Sequence, residues 1–387
     1  MTFYEAATGL FEGMGIMHVD IGSGIMVLLS AFLMFLAVAK KVEPLLLIPL
    51  AFGILIANIP MAGLSAHDGP DGLLFFIYLG VKYVVYPPLI FLCIGSMTDF
   101  GPLIGNPKSL FIGLGGQLGL FTALFASVWV GGLLAPFFAD FDGFTLAQAA
   151  AIAIIGSSDG PTAIFTATNL APEILPAIAI AAYSYMALVP VIQPPIARLL
   201  TNDKERVIVM PNPKRVTKRQ KLFFPIIATI VTLLLVPAAG ALIGMLMLGN
   251  FIRESGVAER YVRTLNNELL NVLTLLVALS IGSSAKAEYF LRIETILIIV
   301  LGLFAFISGT FGGVLIAKLL CHLTGGKINP LIGNSGVSAM PMAARVSQKL
   351  GQEYNPHNHL LMHAMGPIVA STMGSAIIAG IFIVLFQ

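Results

Sequence analysis

The amino-acid sequence predicts an all-α protein that crosses a membrane many times. Of its 387 residues, 57% are hydrophobic and only 10% are charged, and the mean hydropathy is +0.94. A soluble domain carries about 25% charged residues, so this chain has too few charges to cover a soluble surface. Uncharged runs reach or approach the roughly 20 residues that a helix needs to cross the hydrocarbon core; they lie at 21–39, 44–66, 109–139, 174–197, 222–252, 295–317 and 354–387.

A basic hydrophilic stretch at 201–221 divides these apolar segments near the middle of the chain. It holds seven of the 21 Lys and Arg residues and only two acids. Because loops rich in Lys and Arg stay on the cytoplasmic side, we expect a cytoplasmic connector here. It would join an N-terminal membrane half, 1–200, to a C-terminal membrane half, 222–387. The predicted location is the inner (cytoplasmic) membrane, and a net charge of only +2 spread over loops gives no basic surface for nucleic acid.

The N-terminal half requires a segment that turns back inside the membrane. The acidic turn at 140–142 has no Lys or Arg and is placed outside by the same charge rule. The span at 174–198 must begin outside to end at the connector, so residues 144–172 have to return to the side from which they came. Gly and Pro interrupt a helix, and they do so in Gly156-Ser157-Ser158-Asp159-Gly160-Pro161. The sequence therefore predicts a re-entrant pair of half-helices.

A second interrupted segment lies at 328–348 in the C-terminal half. The run Ile155-Gly156-Ser157-Ser158 of the first break has a counterpart here in Ile332-Gly333-Asn334-Ser335. Paired interrupted segments in corresponding halves indicate a transporter's binding site. We expect the halves to be inverted repeats, with parallel repeats as the alternative.

Asp159 is the only charged residue between Asp142 and Glu173. A charge near the bilayer centre costs about 2.5–3.5 kcal/mol on insertion scales, so it usually pairs with a cation or lines a water-filled path. The neighbouring Ser157 and Ser158 and the carbonyls freed by the helix break favour Na⁺ or H⁺ over zinc or copper. The alternative is a structural aspartate that caps the next half-helix.

The second break offers uncharged ligands, which are Asn329, Asn334, Ser335 and Ser338. Gly333 permits close approach of the backbone. Asn329 precedes Pro330, so its alternative role is a helix N-cap.

Arg345 is the only charge between Lys327 and Lys349. The planar fork of an arginine suits a carboxylate, which would be Asp159 or an anionic substrate. Alternatively, its side chain extends from a helix end to the interface. Tyr183 and Tyr185 interrupt an apolar span, and tyrosines there are usually interface anchors.

The two breaks resemble the signature segments of one family, and two further segments do so as well: Met97-Thr98-Asp99-Phe100-Gly101-Pro102 and Met362-His363-Ala364-Met365-Gly366-Pro367. The family is the β subunit of the biotin-dependent, sodium-pumping decarboxylases that act on oxaloacetate, methylmalonyl-CoA or glutaconyl-CoA. The resemblance spans nearly the whole chain. It implies about ten transmembrane helices, with the two discontinuous segments meeting in the middle of the membrane.

The resemblance implies that the chain decarboxylates carboxybiotin on a partner subunit, consumes a proton and exports Na⁺. Biotin would be attached to the partner and not to this chain. Expected partners are a carboxyltransferase α subunit, a biotin carrier subunit and a small membrane-anchored subunit, and a homo-oligomer is possible. By similarity, Asp159 belongs to both the catalytic and the sodium-binding groups. Asn329, Gly333 and Ser338 complete the sodium site, and Tyr185 and Arg345 serve proton delivery and the carboxylate of carboxybiotin.

Ile368 departs from the family pattern, because the better-known oxaloacetate members have asparagine after the Met-Gly-Pro run. A polar ligand expected near the ion site is therefore absent here. The rival function is a stand-alone Na⁺- or H⁺-coupled secondary transporter that uses the same paired breaks. A biotin carrier and a carboxyltransferase that accompany the chain would distinguish the two functions.

Overall fold

The computed structural model describes residues 13–41, 43–65, 72–138, 141–211 and 214–387. Throughout these ranges the regular structure is helical and no strand forms, which confirms the all-α prediction. Asp140 of the predicted outer turn and residues 212–213 of the connector lie outside the described residues.

The α-helices, in chain order, are α1 (Ile21–Ala39), α2 (Pro44–Ala57), α3 (Leu73–Lys82), α4 (Tyr86–Met97), α5 (Gly101–Gly105), α6 (Ser109–Gly116), α7 (Leu118–Leu134), α8 (Leu146–Ala153), α9 (Gly160–Leu170), α10 (Leu175–Leu200), α11 (Asp203–Arg206), α12 (Lys218–Leu235), α13 (Gly240–Ser255), α14 (Glu259–Thr264), α15 (Leu270–Ser284), α16 (Ala287–Phe290), α17 (Ile293–Leu323), α18 (Met342–Tyr354) and α19 (Leu361–Phe386).

Five helical segments of the described chain are long and apolar enough to cross a membrane, and the number rises to seven if two bent pairs each count as one span. The five are Ile21–Ala39, Ser109–Phe137, Glu259–Ser284, Ile293–Leu323 and Leu361–Phe386. The chain is therefore a multi-pass membrane protein. Other apolar segments form shorter helices or begin with basic residues, as α2 and α12 do. The figure of about ten transmembrane helices stays a prediction.

The chain folds into two compact units. The first combines Met1–Tyr86 with Glu268–Thr295, and the second combines Pro87–Asn267 with Ile296–Gln387. The units are defined by packing, in which α15 and α16 contact the N-terminal helices; the halves 1–200 and 222–387 along the chain stay a prediction. Hydrogen bonds of the Asn58 side chain help to hold that first unit together: it donates to the Ala285 carbonyl at 2.8 Å and accepts from the Ala287 N–H at 2.8 Å.

Residues 144–172 in the second unit form a hairpin of two half-helices, hereafter hairpin 1. Thr145 caps α8, which gives way to a 3₁₀ turn at Ile154–Ser157, and α9 then begins at Gly160. The Gln148 side chain at the start of the hairpin donates to the Glu173 carboxylate just beyond its end, at 2.8 Å. The chain therefore returns to the point where it began, which confirms the predicted re-entrant pair.

The second broken segment also returns to its starting point, and we call it hairpin 2. It runs from Asn329 through a 3₁₀ segment at Pro330–Gly336 to α18. The Asn329 amide donates to the carbonyls of Arg206 and Ile208 at 2.9 and 2.8 Å. Asn358, which lies beyond α18, donates to the same two carbonyls at 3.2 and 3.1 Å. Both ends of hairpin 2 are thus bound to the basic connector.

The bases of the two hairpins lie at opposite ends of α10. Hairpin 1 is tied to Glu173, two residues before α10 begins, and hairpin 2 is tied to the connector that follows the end of α10. Pro190, Pro194 and Pro195 lie within this helix, which is bent by 62°, as is usual for helices interrupted by proline. The opposed hairpins are the arrangement that inverted repeats would produce, although the repeat relation itself stays a prediction.

Candidate ion-binding site

The tips of the two hairpins are hydrogen-bonded to each other. The Ser338 N–H of hairpin 2 donates to the Ser157 carbonyl of hairpin 1 at 2.8 Å. Glycine also lets each tip pack closely on a neighbouring helix: a Cβ on Gly156 would lie 2.7 Å from the carbonyl carbon of Gly119, at the start of α7. A Cβ on Gly336 would likewise lie 2.8 Å from the Ile112 carbonyl oxygen. Each tip therefore packs on the backbone of a neighbouring helix in the interior of the unit.

Asp159 lies at the tip of hairpin 1 and is only 4% exposed. One carboxylate oxygen accepts the Thr162 N–H at 3.3 Å, and the other accepts the Ser375 hydroxyl at 2.9 Å. No Lys, Arg or His of the described ranges forms an ion pair with it. The bond to Thr162 is the predicted N-cap, but a cap does not neutralise the charge. A buried carboxylate without a cationic partner costs several kcal/mol, so this position favours a bound cation or a proton.

Serines of α19 connect Asp159 to the tip of hairpin 2. The Ser338 hydroxyl donates to the Ser371 hydroxyl at 3.0 Å, and the Gln117 amide donates to the same oxygen at 3.0 Å. Ser371 is four residues before Ser375, so the two serines lie on one face of α19, a turn apart. A polar path of two hydrogen-bonded pairs, Asp159–Ser375 and Ser371–Ser338, therefore lies along this face of α19.

The sequence analysis missed Gln117, Ser371 and Ser375. The four-residue spacing of the two serines within an apolar helix was the available signal. Their partners are 33 and 216 residues away in sequence, so only the folded chain identifies the contacts.

Several buried oxygens beside this path have no hydrogen-bond partner within the described chain. They include the hydroxyl of Ser158 and the side-chain carbonyl of Gln117. Both polar atoms of the Asn334 amide are also buried without a partner. Carboxylate, hydroxyl and carbonyl oxygens are the ligands that hard cations prefer, and a soft or divalent transition metal would be expected to find imidazole or thiolate. The residues present fit Na⁺.

The other two residues of the expected sodium site lie elsewhere in hairpin 2. Asn329 is at its base, where the side-chain oxygen accepts the Leu331 N–H at 3.0 Å, so the N-cap role is realised. Gly333 packs against α17, where a Cβ would lie 2.4 Å from the Cα of Val314. Neither residue hydrogen-bonds Asp159, whose partners are Thr162 and Ser375.

Arg345 does not reach Asp159. It lies on the exposed side of α18 and forms no ion pair with any residue that the structure describes. Of the two predicted roles, the one toward an external carboxylate is compatible with this position. An internal pair with Asp159 is absent.

The expectation that Tyr183 and Tyr185 are interface anchors is wrong, since both side chains are buried. The Tyr185 hydroxyl donates to the Ile299 carbonyl of α17. The Tyr183 ring packs on Gly160, where a Cβ would lie 2.4 Å from a ring carbon. Tyr183 is therefore the tyrosine that packs directly beside Asp159.

Ile368 is fully buried in α19, seven residues before Ser375. Its carbonyl accepts the Thr372 hydroxyl at 3.0 Å. The missing polar side chain at this position therefore leaves an apolar patch directly before the serine face of the helix.

Opposed re-entrant hairpins that bury an unpaired carboxylate where they meet define a membrane protein built for moving ions. The sequence model of the Na⁺-transporting oxaloacetate decarboxylase beta subunit family matches residues 22–386, and the chain belongs to this family. It is 51% identical to the methylmalonyl-CoA decarboxylase subunit beta of Veillonella parvula, over 98% of this chain and 97% of that one. It is 49% identical to the glutaconyl-CoA decarboxylase subunit beta of Acidaminococcus fermentans, with the same coverage. Identity to the oxaloacetate decarboxylase beta chain of Klebsiella pneumoniae is 45%, over 98% of each chain.

The chain is thus a membrane subunit of a sodium-pumping decarboxylase, as the sequence indicated. The stand-alone transporter is not favoured. As a β subunit it belongs to a multi-subunit complex.

Proposed function

We propose that this subunit decarboxylates carboxybiotin presented by a partner and couples the reaction to Na⁺ export through Asp159. The observation that carries the proposal is the position of this carboxylate. It is buried where two hairpins from opposite ends of α10 meet, and no described cation neutralises it.

Asp159 and Ser338 are the proposed Na⁺ ligands, with the α19 hydroxyls of Ser371 and Ser375 between them. This extends the site expected from the sequence. Asn329 and Gly333 are proposed to contribute by holding hairpin 2 against the connector and α17. A cation bound between the tips would replace the hydrogen bond from Ser375 to Asp159. The attraction between the carboxylate and the full positive charge of the cation would outweigh the loss of that hydrogen bond.

Arg345 is the proposed receptor for the carboxylate of carboxybiotin. Its exposed guanidinium is carried by α18, the helix that completes hairpin 2. Decarboxylation breaks the C–N bond, releases CO₂ and leaves a biotin nitrogen that takes up one proton. Tyr185 is the proposed proton donor on the path to that nitrogen, which requires its hydroxyl to leave the Ile299 carbonyl.

Coupling follows from the opposed hairpins. Arg345 and Ser338 belong to the same short hairpin. If Arg345 draws α18 toward the carboxylate of carboxybiotin, the Ser338 tip must therefore shift relative to Ser157 of hairpin 1. A shift of either tip would change the Na⁺ ligands and open the site toward one side. Alternating access in transporters of this general construction works by such relative movement around a fixed site.

The proposed complex contains a carboxyltransferase α subunit, a biotin carrier and a small membrane-anchored subunit, in the cytoplasmic membrane. A homo-oligomer of the chain is a further expectation. The relatives named for three different substrates lie between 45% and 51% identity. Identity at this level leaves the substrate open, since another subunit would bind it.

The test is to purify the chain with its partner subunits and measure CO₂ release from oxaloacetate, methylmalonyl-CoA and glutaconyl-CoA. One substrate should be decarboxylated at a rate that rises with Na⁺ when K⁺ keeps the ionic strength constant. A rate independent of Na⁺ would contradict the coupling. Na⁺ uptake by the purified chain alone, driven by a pH gradient, would favour the stand-alone transporter.

A further inference from the structure

A second polar feature of the second unit lies apart from the hairpin tips. It is a cavity of about 320 Å³ beside the basic connector, lined by three lysines and a histidine: Lys108, Lys214, Lys327 and His363. Four segments meet there: the turn between α5 and α6, the connector, the turn before hairpin 2, and the start of α19. The other lining residues are Gly105, Asn106, Pro107, Met210, Pro211, Thr324 and Ile328, so the described lining contains no acid.

The three lysines differ from two other lysines of the second unit. Lys221 pairs with Asp99 at 2.7 Å, and Lys318 pairs with Glu205 at 3.6 Å. Within the described chain, the lysines of the cavity form no ion pair. Positive charges that converge without a counter-charge repel one another, and an anion bound among them would remove that repulsion.

Exposed apolar side chains lie close in sequence to the lining residues, and we call them the apolar rim. Leu323 precedes the lining residue Thr324 and is 73% exposed, and Met362 precedes His363 and is 52% exposed. Phe111 in α6, three residues after Lys108, is also exposed. Exposed large apolar side chains on these membrane helices face acyl chains, so the cavity lies where the hydrocarbon ends and phosphate groups begin.

We propose that this lysine cavity binds the phosphate group of an anionic phospholipid. Basic pockets between membrane helices on the cytoplasmic side bind such head groups. The lysines supply point charges for a phosphate, and the apolar rim offers a surface for the acyl chains. The rim distinguishes a lipid from a free phosphate ion, which would gain nothing from it. The inference does not depend on the sodium site.

The test is native mass spectrometry of the full-length protein in detergent, titrated with phosphatidylglycerol, phosphatidylcholine or inorganic phosphate. Wild-type protein should retain phosphatidylglycerol in preference to phosphatidylcholine. The variants Lys214→Gln and Lys327→Gln should each bind it about fivefold more weakly, which corresponds to the contribution of one basic side chain at an anionic surface. The matched control is Lys204→Gln, an exposed lysine of the same connector that does not line the cavity.

Three results would overturn the proposal. One is that the cavity variants and the control lose affinity for phosphatidylglycerol equally. Another is that none of them loses affinity for it. The third is binding of inorganic phosphate as tight as that of phosphatidylglycerol, which would assign the cavity to a soluble anion. Melting temperatures measured without added lipid establish that the variants are folded, since exposed lysines contribute little to the native state.

Discussion

At the scale of single residues, the charges of this protein differ in how they are neutralised. Arg198 pairs with Glu353 at 2.7 Å, and Lys221 with Asp99 at the same distance. Asp159 has hydroxyl and N–H partners but no described cation. A purely structural N-cap does not need an acid in a buried position, because serine or asparagine caps a helix equally well and carries no charge. The acid at 159 therefore supports the proposal that a transported cation binds there.

The Asp99–Lys221 pair gives a prediction for pH-dependent stability. Burial raises the pKa of Asp99, but the hydrogen bonds from Lys221 and the Gly101 N–H outweigh it and hold this pKa below its usual range. A lowered pKa stabilises the fold above the unfolded value of about 3.9, and the stabilisation is lost as the pH falls through the folded value. Asp99→Asn should therefore cost on the order of 1 kcal/mol of folding stability at pH 7, and the difference from wild type should shrink as the pH falls through the lowered pKa.

Thermal melts of wild type and Asp99→Asn between pH 3 and pH 7 measure this effect. Lys221→Gln should cause a similar loss at pH 7, and the double variant should lose less than the sum of the two. A constant difference between wild type and Asp99→Asn at every pH would contradict an ionic contribution.

The Arg345→Gln variant tests the proposed carboxylate receptor. Because Arg345 is exposed and does not contact Asp159, its loss should leave Na⁺ binding intact. Decarboxylation by the assembled complex should fall by at least about tenfold, the size expected for a lost charged hydrogen bond to substrate. Lys349→Gln is the matched control, since it removes a cation one turn later on the same exposed face of α18. An unchanged rate at saturating Na⁺ would refute the role of Arg345.

At the scale of elements, the helix breaks were predictable because their signals are local. Glycine and proline at 156–161, and the Asn329-Pro330 start of hairpin 2, interrupt apolar runs wherever the chain goes. The re-entrant segment expected at 144–172 appears as α8, a 3₁₀ turn and α9 between 146 and 170. Which helix faces the tips was not predictable. The serines of α19 and Gln117 are distant in sequence, and their positions depend on how whole helices pack.

The close approach at the hairpin tips predicts the effect of one added methyl group. Gly156→Ala would place a Cβ 2.7 Å from backbone that cannot move independently, so it should destabilise the fold by about 1–3 kcal/mol, as overpacking does. Gly132→Ala is the control, because no atom lies within 4 Å of the added carbon in α7. That change should be neutral or stabilise by up to about 1 kcal/mol, since alanine loses less entropy in a helix. Equal melting temperatures for the two variants would contradict the packing of the hairpin 1 tip on α7.

At the scale of the whole molecule, composition established the membrane class, and the charge rule predicts a cytoplasmic connector. The division into compact units was not predicted from sequence, since it depends on α15 and α16 packing against helices more than 200 residues earlier. Charge counts and run lengths contain no information on such pairings. The same reason explains why Tyr185 and Tyr183 were placed at the interface: hydropathy does not identify the glycines that accommodate their rings.

The folded protein should be stabilised selectively by Na⁺. A ligand that binds only the native state adds about 2.7 kcal/mol at a concentration 100 times its Kd. We expect the melting temperature to rise with NaCl beyond the rise produced by equal KCl. The extra rise should vanish in Asp159→Asn and persist in Arg345→Gln. Coincident curves in the two salts for wild type would indicate that a proton or another ion occupies the site.

Sodium flux through the complete complex tests the central claim, that Asp159 binds the transported ion, most directly. Proteoliposomes that contain wild-type complex should accumulate Na⁺ when substrate is added, and those with Asp142→Asn, an exposed acid, should do the same. Asp159→Asn should lower the flux by at least about tenfold, since an amide does not supply the charge that a buried Na⁺ needs. Its melting temperature in KCl should stay near that of wild type. Sodium accumulation by Asp159→Asn at the wild-type rate would contradict the account.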